Sequence, residues 1–237
     1  MTERLYFRQL LAGRDFARDD EAARAMANFV YAIGDRETGE ALLVDPAYRP
    51  LELVDLLAED DLTLAGVVAT HYHVDHVGGT FQGHAVAGVA ALLEEHDVAV
   101  HVARDEVPWV TRGAGVDAAQ LVAHDSGDRL RVGEVEVTLV HTPGHTPGSQ
   151  CLLVEGRLVS GDTLFLEGCG RTDLPGGDVD ALYDTLTRRL ADLPGETVLY
   201  PGHDYASEPF AALSRVRATN PALAPRSAEQ WRAAFAR

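Results

Sequence analysis

The run Thr-His-Tyr-His-Val-Asp-His at residues 70–76 sets His71, His73, Asp75 and His76 within six positions. Neutral imidazole nitrogen and carboxylate oxygen are the ligands that divalent zinc and iron accept, at about 2.0–2.2 Å. Residues 64–70 are apolar or small and read as a buried strand. His71 therefore falls where a strand gives way to a loop, the usual place for a site in an α/β sheet. The run reaches His76 without strand-like alternation, which points to a tight loop wrapped around a metal.

Three further sites share one setting, a ligand residue in a glycine-bearing turn just after an apolar strand. They are His145 in Thr-Pro-Gly-His-Thr-Pro-Gly, Asp162 in Ser-Gly-Asp and His203 in Pro-Gly-His. A glycine before the ligand lets the backbone turn sharply and approach an ion closely. A lone example is more often an ordinary turn; three, added to the histidine cluster, argue for one metal centre.

The elements that position these residues follow from the pattern. Strands or short helix are expected at 5–11, a helical excursion at 14–27, and a hairpin at 28–33 and 40–44 that ends in Asp45-Pro46. A helix is expected at 51–58, a helix-like stretch at 85–95 and strands at 98–102 and 134–140. A second hairpin spans 151–154 and 157–160, and an amphipathic helix covers 178–193 with Leu182, Leu186 and Leu190 on one stripe. A last strand at 197–200 and a last helix at 207–219 complete the chain. No linker or repeat interrupts it, so residues 1–237 are expected to form one domain with a short helical tail.

The 237 residues carry 46% hydrophobic side chains, enough for a substantial core, and a formal charge of −17. That charge repels a phosphate backbone and disfavours nucleic acid as a partner. All 20 basic residues are arginine, so Schiff-base chemistry on a lysine is excluded. Two cysteines, Cys151 and Cys169, make no disulfide framework and suggest a reducing cytoplasm. No apolar run approaches the ~18 residues of a membrane span, and the first residues lack a signal-peptide core. A soluble cytoplasmic protein is expected.

The run THYHVDH, with Asp45 before it and His145, Asp162 and His203 after it, resembles the metallo-β-lactamase superfamily over about residues 28 to 205. The resemblance implies an α/β fold, a four-layer αββα sandwich with the metal site at one edge between the sheets. It implies that His71, His73 and His145 hold one divalent ion, that Asp75, His76 and His203 hold another, and that Asp162 bridges them. Asp45 matches the family's aspartate that orients the histidine loop.

The block LFLEGCGRTDLPGGD and the later PGHDY are similar to both glyoxalase II and the persulfide dioxygenases. Glyoxalase II has a lysine where this chain has Arg171, and an aromatic near Asp173 that is missing here. Tyr205 matches the tyrosine that contacts glutathione in glyoxalase II. The sequence runs 34 residues past His203 (237 − 203), short for that family's glutathione-binding tail. Arg171-Thr172-Asp173 and Thr219-Asn220-Pro221 look more like the persulfide dioxygenases. The excursions at 12–27 and 80–115 are longer than either pattern.

Two mechanisms use overlapping ligands. With two ions, a water whose pKa they lower attacks a thioester carbonyl, Asp75 orients the nucleophile as well as ligating, and a thiolate leaves without a strong acid. With one ferrous ion on His71, His145 and Asp162, open positions admit dioxygen and a persulfide. Thioester hydrolysis of the glyoxalase II type is the leading expectation, with persulfide dioxygenation or a metal-bearing module without turnover as alternatives. The cofactors expected are one or two ions of zinc or iron, manganese being a further candidate. The partners expected are a small-molecule thioester or persulfide and, as assembly, a homodimer. Arg171 is expected to bind a carboxylate of the thiol carrier or else pair with Asp173, and Cys169 to pack in its glycine turn. Trp109 and Phe81 are candidates for the pocket wall. His84, His96, His101, His124 and His141 are expected to have no ligand partners.

Overall fold

The computed structural model describes residues 4–235 except Gln82 and Pro225, and of Phe81 the backbone alone. β1 (Leu5–Leu11), β2 (Phe29–Asp35) and β3 (Glu40–Val44) form an antiparallel meander. The helix Pro50–Glu59 then crosses over to β4 (Thr63–Val68), which pairs with β3 in parallel. A separate small hairpin follows, β5 (Gly79–Phe81) and β6 (His84–Val86). β7 (Ala99–Ala103) and β8 (Leu121–His124) return as parallel neighbours, giving the order β1-β2-β3-β4-β7-β8.

The second sheet is built by β9 (Arg129–Val132), β10 (Val135–His141), β11 (Gln150–Val154) and β12 (Arg157–Gly161), antiparallel in succession. β13 (Val198–Pro201) lies parallel to β12, and the short β14 (Ala211–Ala212) closes the edge.

Side-chain alternation sorts these strands into layers. Phe29, Tyr31 and Ile33 of β2 face Val137, Leu139 and Leu152 of the second sheet in the central core. Val30 and Ala32, on the opposite face of β2, pack with Leu53, Leu57 and Leu92 from the helices over the first sheet. Leu158 and Leu199 meet Leu182, Leu186, Leu190 and Trp231 outside the second sheet. The result is helix, sheet, sheet, helix, the αββα sandwich expected. Burying β2 on both faces explains why it reads as an unbroken apolar run rather than an alternating one.

Several elements differ from the sequence expectations. Within 14–27 only Glu21–Met26 is helical, started by the Asp20 carboxylate accepting from Ala23 N. Residues 85–95 divide into β6 and the helix Val89–Glu95. Gly88 causes the break, because its backbone lies against Val77 O where a Cβ would sit 2.3 Å away. The expected helix at 207–219 begins only at Leu213, since Ala211 and Ala212 pair with β13. The helix at 178–193 is α-helical over Val179–Asp184 and widens to a π-turn at Thr185–Arg189. There the Thr185 hydroxyl donates to Pro143 O at 2.7 Å, beside the His145 turn. The Phe81 side chain lies outside the described residues. No described helix is long and apolar enough to cross a membrane.

His101 and His124, which fall in no candidate metal group among the described residues, face each other from β7 and β8 with Nδ1 and Nε2 2.9 Å apart. Burial, together with the neighbouring His124, lowers His101 to about 4. A base whose folded pKa is depressed stabilises the fold fully above its unfolded value of about 6.5 and loses that contribution as pH falls through the folded pKa. With solvent screening, that loss should be about 1–2 kcal/mol. Urea unfolding of the parent and His101→Gln at pH 7 and pH 4.5 should show the parent losing that much more. Equal losses in the two proteins would contradict the assignment.

Candidate metal centre

The chemistry-bearing residues collect at one end of the sandwich, where the strands hand over to loops. His71 and His73 follow β4, and a single helical turn, Val74–Val77, carries Asp75 and His76. The expected loop is therefore partly helical. His145 follows β10, Asp162 follows β12, and His203 follows β13. The ligand atoms of His71, His73 and His145 lie within 4.8 Å of one another, as do those of Asp75, His76 and His203. Asp162 stands between these two triads, its Oδ2 3.3 Å from His203 Nε2 and 3.7 Å from His145 Nε2. Its Oδ1 is 3.4 Å from His76 Nε2.

The glycines before these residues are demanded by space. A Cβ at Gly144 would sit 2.4 Å from the Leu182 backbone, and Gly144 has φ +139. A Cβ at Gly202 would come within 2.3 Å of Asp162 Oδ1. At Gly144 it is packed backbone that comes up against the glycine, and at Gly202 it is the Asp162 carboxylate.

Outer contacts decide which nitrogen of each imidazole is free. Thr70 Oγ1 donates to Asp45 Oδ2 at 2.6 Å, so its oxygen accepts from His71 Nδ1 at 3.0 Å. His76 Nδ1 donates to Asp45 Oδ2 at 2.9 Å. His145 Nδ1 donates to Arg171 O at 2.7 Å, and His203 Nδ1 to Met26 O at 2.8 Å. These assignments leave Nε2 of all four rings as a lone pair turned inward. His73 is oriented differently, its Nδ1 lying 2.9 Å from His145 Nε2.

Asp45 holds this arrangement from behind. Its backbone is left-handed, φ 55, a conformation that aspartate tolerates better than most residues. Oδ1 accepts from Thr70 N at 2.7 Å, while Oδ2 takes the Thr70 hydroxyl and His76. Asp45 also lies near His71 and His76 as a potential ligand group, but its oxygens are engaged by these donors. It is a support for the ligands.

The electrostatics are those of a site built for positive charge. Burial depresses His71 well below the ordinary imidazole value, helped by His76, and lowers His73 to about 3. Burial also works against charge on His76, but Asp75 and Asp162 outweigh it and raise that pKa well above 6.5. Asp162 would be raised by burial, yet His203 and His76 hold it well below the usual carboxylate range. His203 is likewise raised against burial, chiefly by Asp162.

The donor set fits divalent metal. His71 Nε2 and Asp162 Oδ1 are buried without a hydrogen-bond partner, a condition that costs about 1–3 kcal/mol per group. Nitrogen and carboxylate oxygen suit zinc and iron alike.

Arg171 and Tyr205 sit at the margin. Nε and Nη2 of Arg171 each donate to Asp173 at 2.6 Å, the structural ion pair that its sequence context allowed. Its carbonyl rather than its guanidinium reaches His145. Tyr205 is 54% exposed and stacks on His203 with ring centres 4.6 Å apart. Burial pushes the Cys169 thiol up to about 12, which keeps it protonated. Trp109 stacks on Tyr72 at 4.9 Å.

Two site residues escaped the sequence reading. Asn28 Nδ2 donates to Asp75 Oδ2 at 3.0 Å, and Tyr48 donates to Asn28 Oδ1 at 3.0 Å. Glu106, fully buried, accepts from both histidine-bearing loops. Neither lies in a motif; Asn28 begins the β2 hairpin and Glu106 sits in a short acidic run. The only available signal for Glu106 is a carboxylate directly ahead of an apolar helix.

Residues 24–203 match the sequence pattern of the Metallo-beta-lactamase superfamily. A hydroxyacylglutathione hydrolase of Polaromonas sp. is 39% identical over 185 residues, which cover 76% of this chain and 64% of that enzyme. The mitochondrial persulfide dioxygenase ETHE1 of Mus musculus is 32% identical, covering 82% of this chain and 71% of its own. The crystal structure of ETHE1 from Myxococcus xanthus superposes with a TM-score of 0.76 at 33% identity, over 95% of this chain and 88% of that one.

Metal content should divide along the triads. His76→Ala should lose the ion of Asp75, His76 and His203 while keeping the other, and His71→Ala should do the reverse. Elemental analysis after metal loading reads this directly. Full loading in both variants would show that these side chains are not ligands.

Proposed function

Since the chain belongs to the metallo-β-lactamase superfamily, whose enzymes are metal-dependent, we propose that it hydrolyses a small thioester of a thiol carrier. The observation that carries this reading is the presence of both triads, each complete, with Asp162 facing the two at once. Ions bound there would lower the pKa of a water and polarise a carbonyl oxygen.

The chain's own residues supply the rest. Asp75 is ionised, since His76 and His203 overcome the opposing effect of burial, and Asn28 holds its Oδ2. Asp75 is thereby placed to accept a proton from the attacking water and to orient it toward the carbonyl carbon. Asp45 keeps His76 in the tautomer whose Nε2 faces inward. The departing thiolate is stable at neutral pH, so no buried acid is required to protonate it. The exposed Tyr205 ring, stacked on His203, supports a contact with the carrier. The two free cysteines fit a reducing cytoplasm.

A second reading, oxidation of a persulfide at one ferrous ion on His71, His145 and Asp162, is supported by the near full-length likeness to the Myxococcus protein. Arg171-Thr172-Asp173 supports it as well.

Protein purified without oxygen and analysed for metal, then tested in two assays, separates the readings. Hydrolysis predicts two metal equivalents, thiol release from S-lactoyl thioesters and no oxygen uptake. One ferrous ion per chain, with persulfide-dependent oxygen consumption and no thioester cleavage, would overturn the proposal.

A further inference from the structure

The first triad draws its ligands from two sheets. His71 and His73 lie beyond β4 of the first sheet, and His145 lies beyond β10 of the second. Something must hold the two loops in register, because an ion tolerates little error in ligand position. On one side Gln150 does so, its backbone N donating to Thr70 O and its side chain to Ala69 O. On the other side stands Glu106, in the turn Arg104–Glu106 that follows β7.

Its contacts reach both loops, one to the first and two to the second. Oε1 accepts from Tyr72 N at 2.7 Å, the peptide between His71 and His73. The same oxygen accepts from Thr146 Oγ1 at 2.9 Å, the residue after His145. Oε2 accepts from Gly148 N at 2.7 Å. The fit leaves no slack: a Cβ on Gly148 would lie 2.5 Å from Oε2. A fully buried carboxylate with three donors is expensive to place, and it touches neither triad directly. Packing alone would be served by an apolar side chain of similar size.

Resting on the reading of His71, His73 and His145 as metal ligands, we infer that Glu106 is a positioning residue, one carboxylate that clamps the two loops of this triad and sets its metal affinity. The second triad is independent of it. Asp75, His76 and His203 are held by Asn28, Asp45 and Met26 O, none of which contacts Glu106 by hydrogen bond.

The test titrates cobalt(II) against a competing chelator. A His76→Ala background reports the first triad, and a His71→Ala background the second. Glu106→Ala removes all three contacts. Glu106→Gln preserves volume and can keep Tyr72 and Thr146 on its oxygen while setting an amide N–H against that of Gly148. Both should weaken cobalt binding at the first triad, the alanine variant by about 10–100-fold, and alter its visible absorption. Affinity at the second triad should change by less than about threefold, well below that range. The inference is wrong if the first triad binds cobalt as tightly in both Glu106 variants, or if both triads weaken equally. Absence of cobalt binding in the His76→Ala reference, with Glu106 intact, would instead overturn the ligand reading itself and the inference with it.

Discussion

Everything at this centre depends on where four protons sit. An imidazole offers a metal one lone pair only if its other nitrogen carries the hydrogen, and a neutral ring in a buried site takes whichever tautomer its neighbours impose. Thr70, Asp45, Arg171 O and Met26 O each accept from Nδ1, and so turn the Nε2 lone pairs of His71, His76, His145 and His203 inward. Two of these acceptors are backbone carbonyls. The tautomers are therefore tied to the fold itself, and the site is as rigid as the loops that carry it.

The sandwich supplies that rigidity at some cost. Strands from two sheets end at the same edge, and their loops meet where each approaching backbone excludes even a methyl group, as at Gly144 and Gly202. Asp45 accepts a left-handed backbone to present its carboxylate to three donors. Asp75 and Asp162 raise His76 against the effect of burial, and Asp162 does the same for His203. A divalent ion would answer the same negative charge, so that ion binding and protonation of these rings compete.

The residues that gather at this centre were legible in the sequence because candidate metal ligands leave dense local patterns. His71 to His76 fall in one turn, and each remaining ligand follows a strand and a glycine. The hairpins at β2–β3 and β11–β12 were equally plain, since their apolar runs flank Gly39 and Gly156. The supports were not. Asn28 and Glu106 reach the site from 47 residues before Asp75 and 34 residues after Tyr72, and no local pattern marks a single polar residue that pairs only after folding. Helix ends were misjudged where tertiary contact overrode propensity, at Gly88 against Val77 and at Ala211–Ala212 on the sheet edge. His101 and His124 look isolated by sequence, yet parallel pairing of β7 with β8 brings them together.

Held in this way, the tautomers and carboxylates would form two adjoining ion sites, with ligand atoms chosen in advance by their outer contacts. An anomalous difference map from crystals of the metal-loaded protein tests this arrangement most directly. One peak is expected about 2.0–2.2 Å from His71 Nε2, His73 Nδ1 and His145 Nε2, and, at full loading, a second at the same distance from Asp75, His76 Nε2 and His203 Nε2. Asp162 should lie between them. A peak coordinated by Nδ1 of His71 or His76, or ions bound away from both triads, would contradict it.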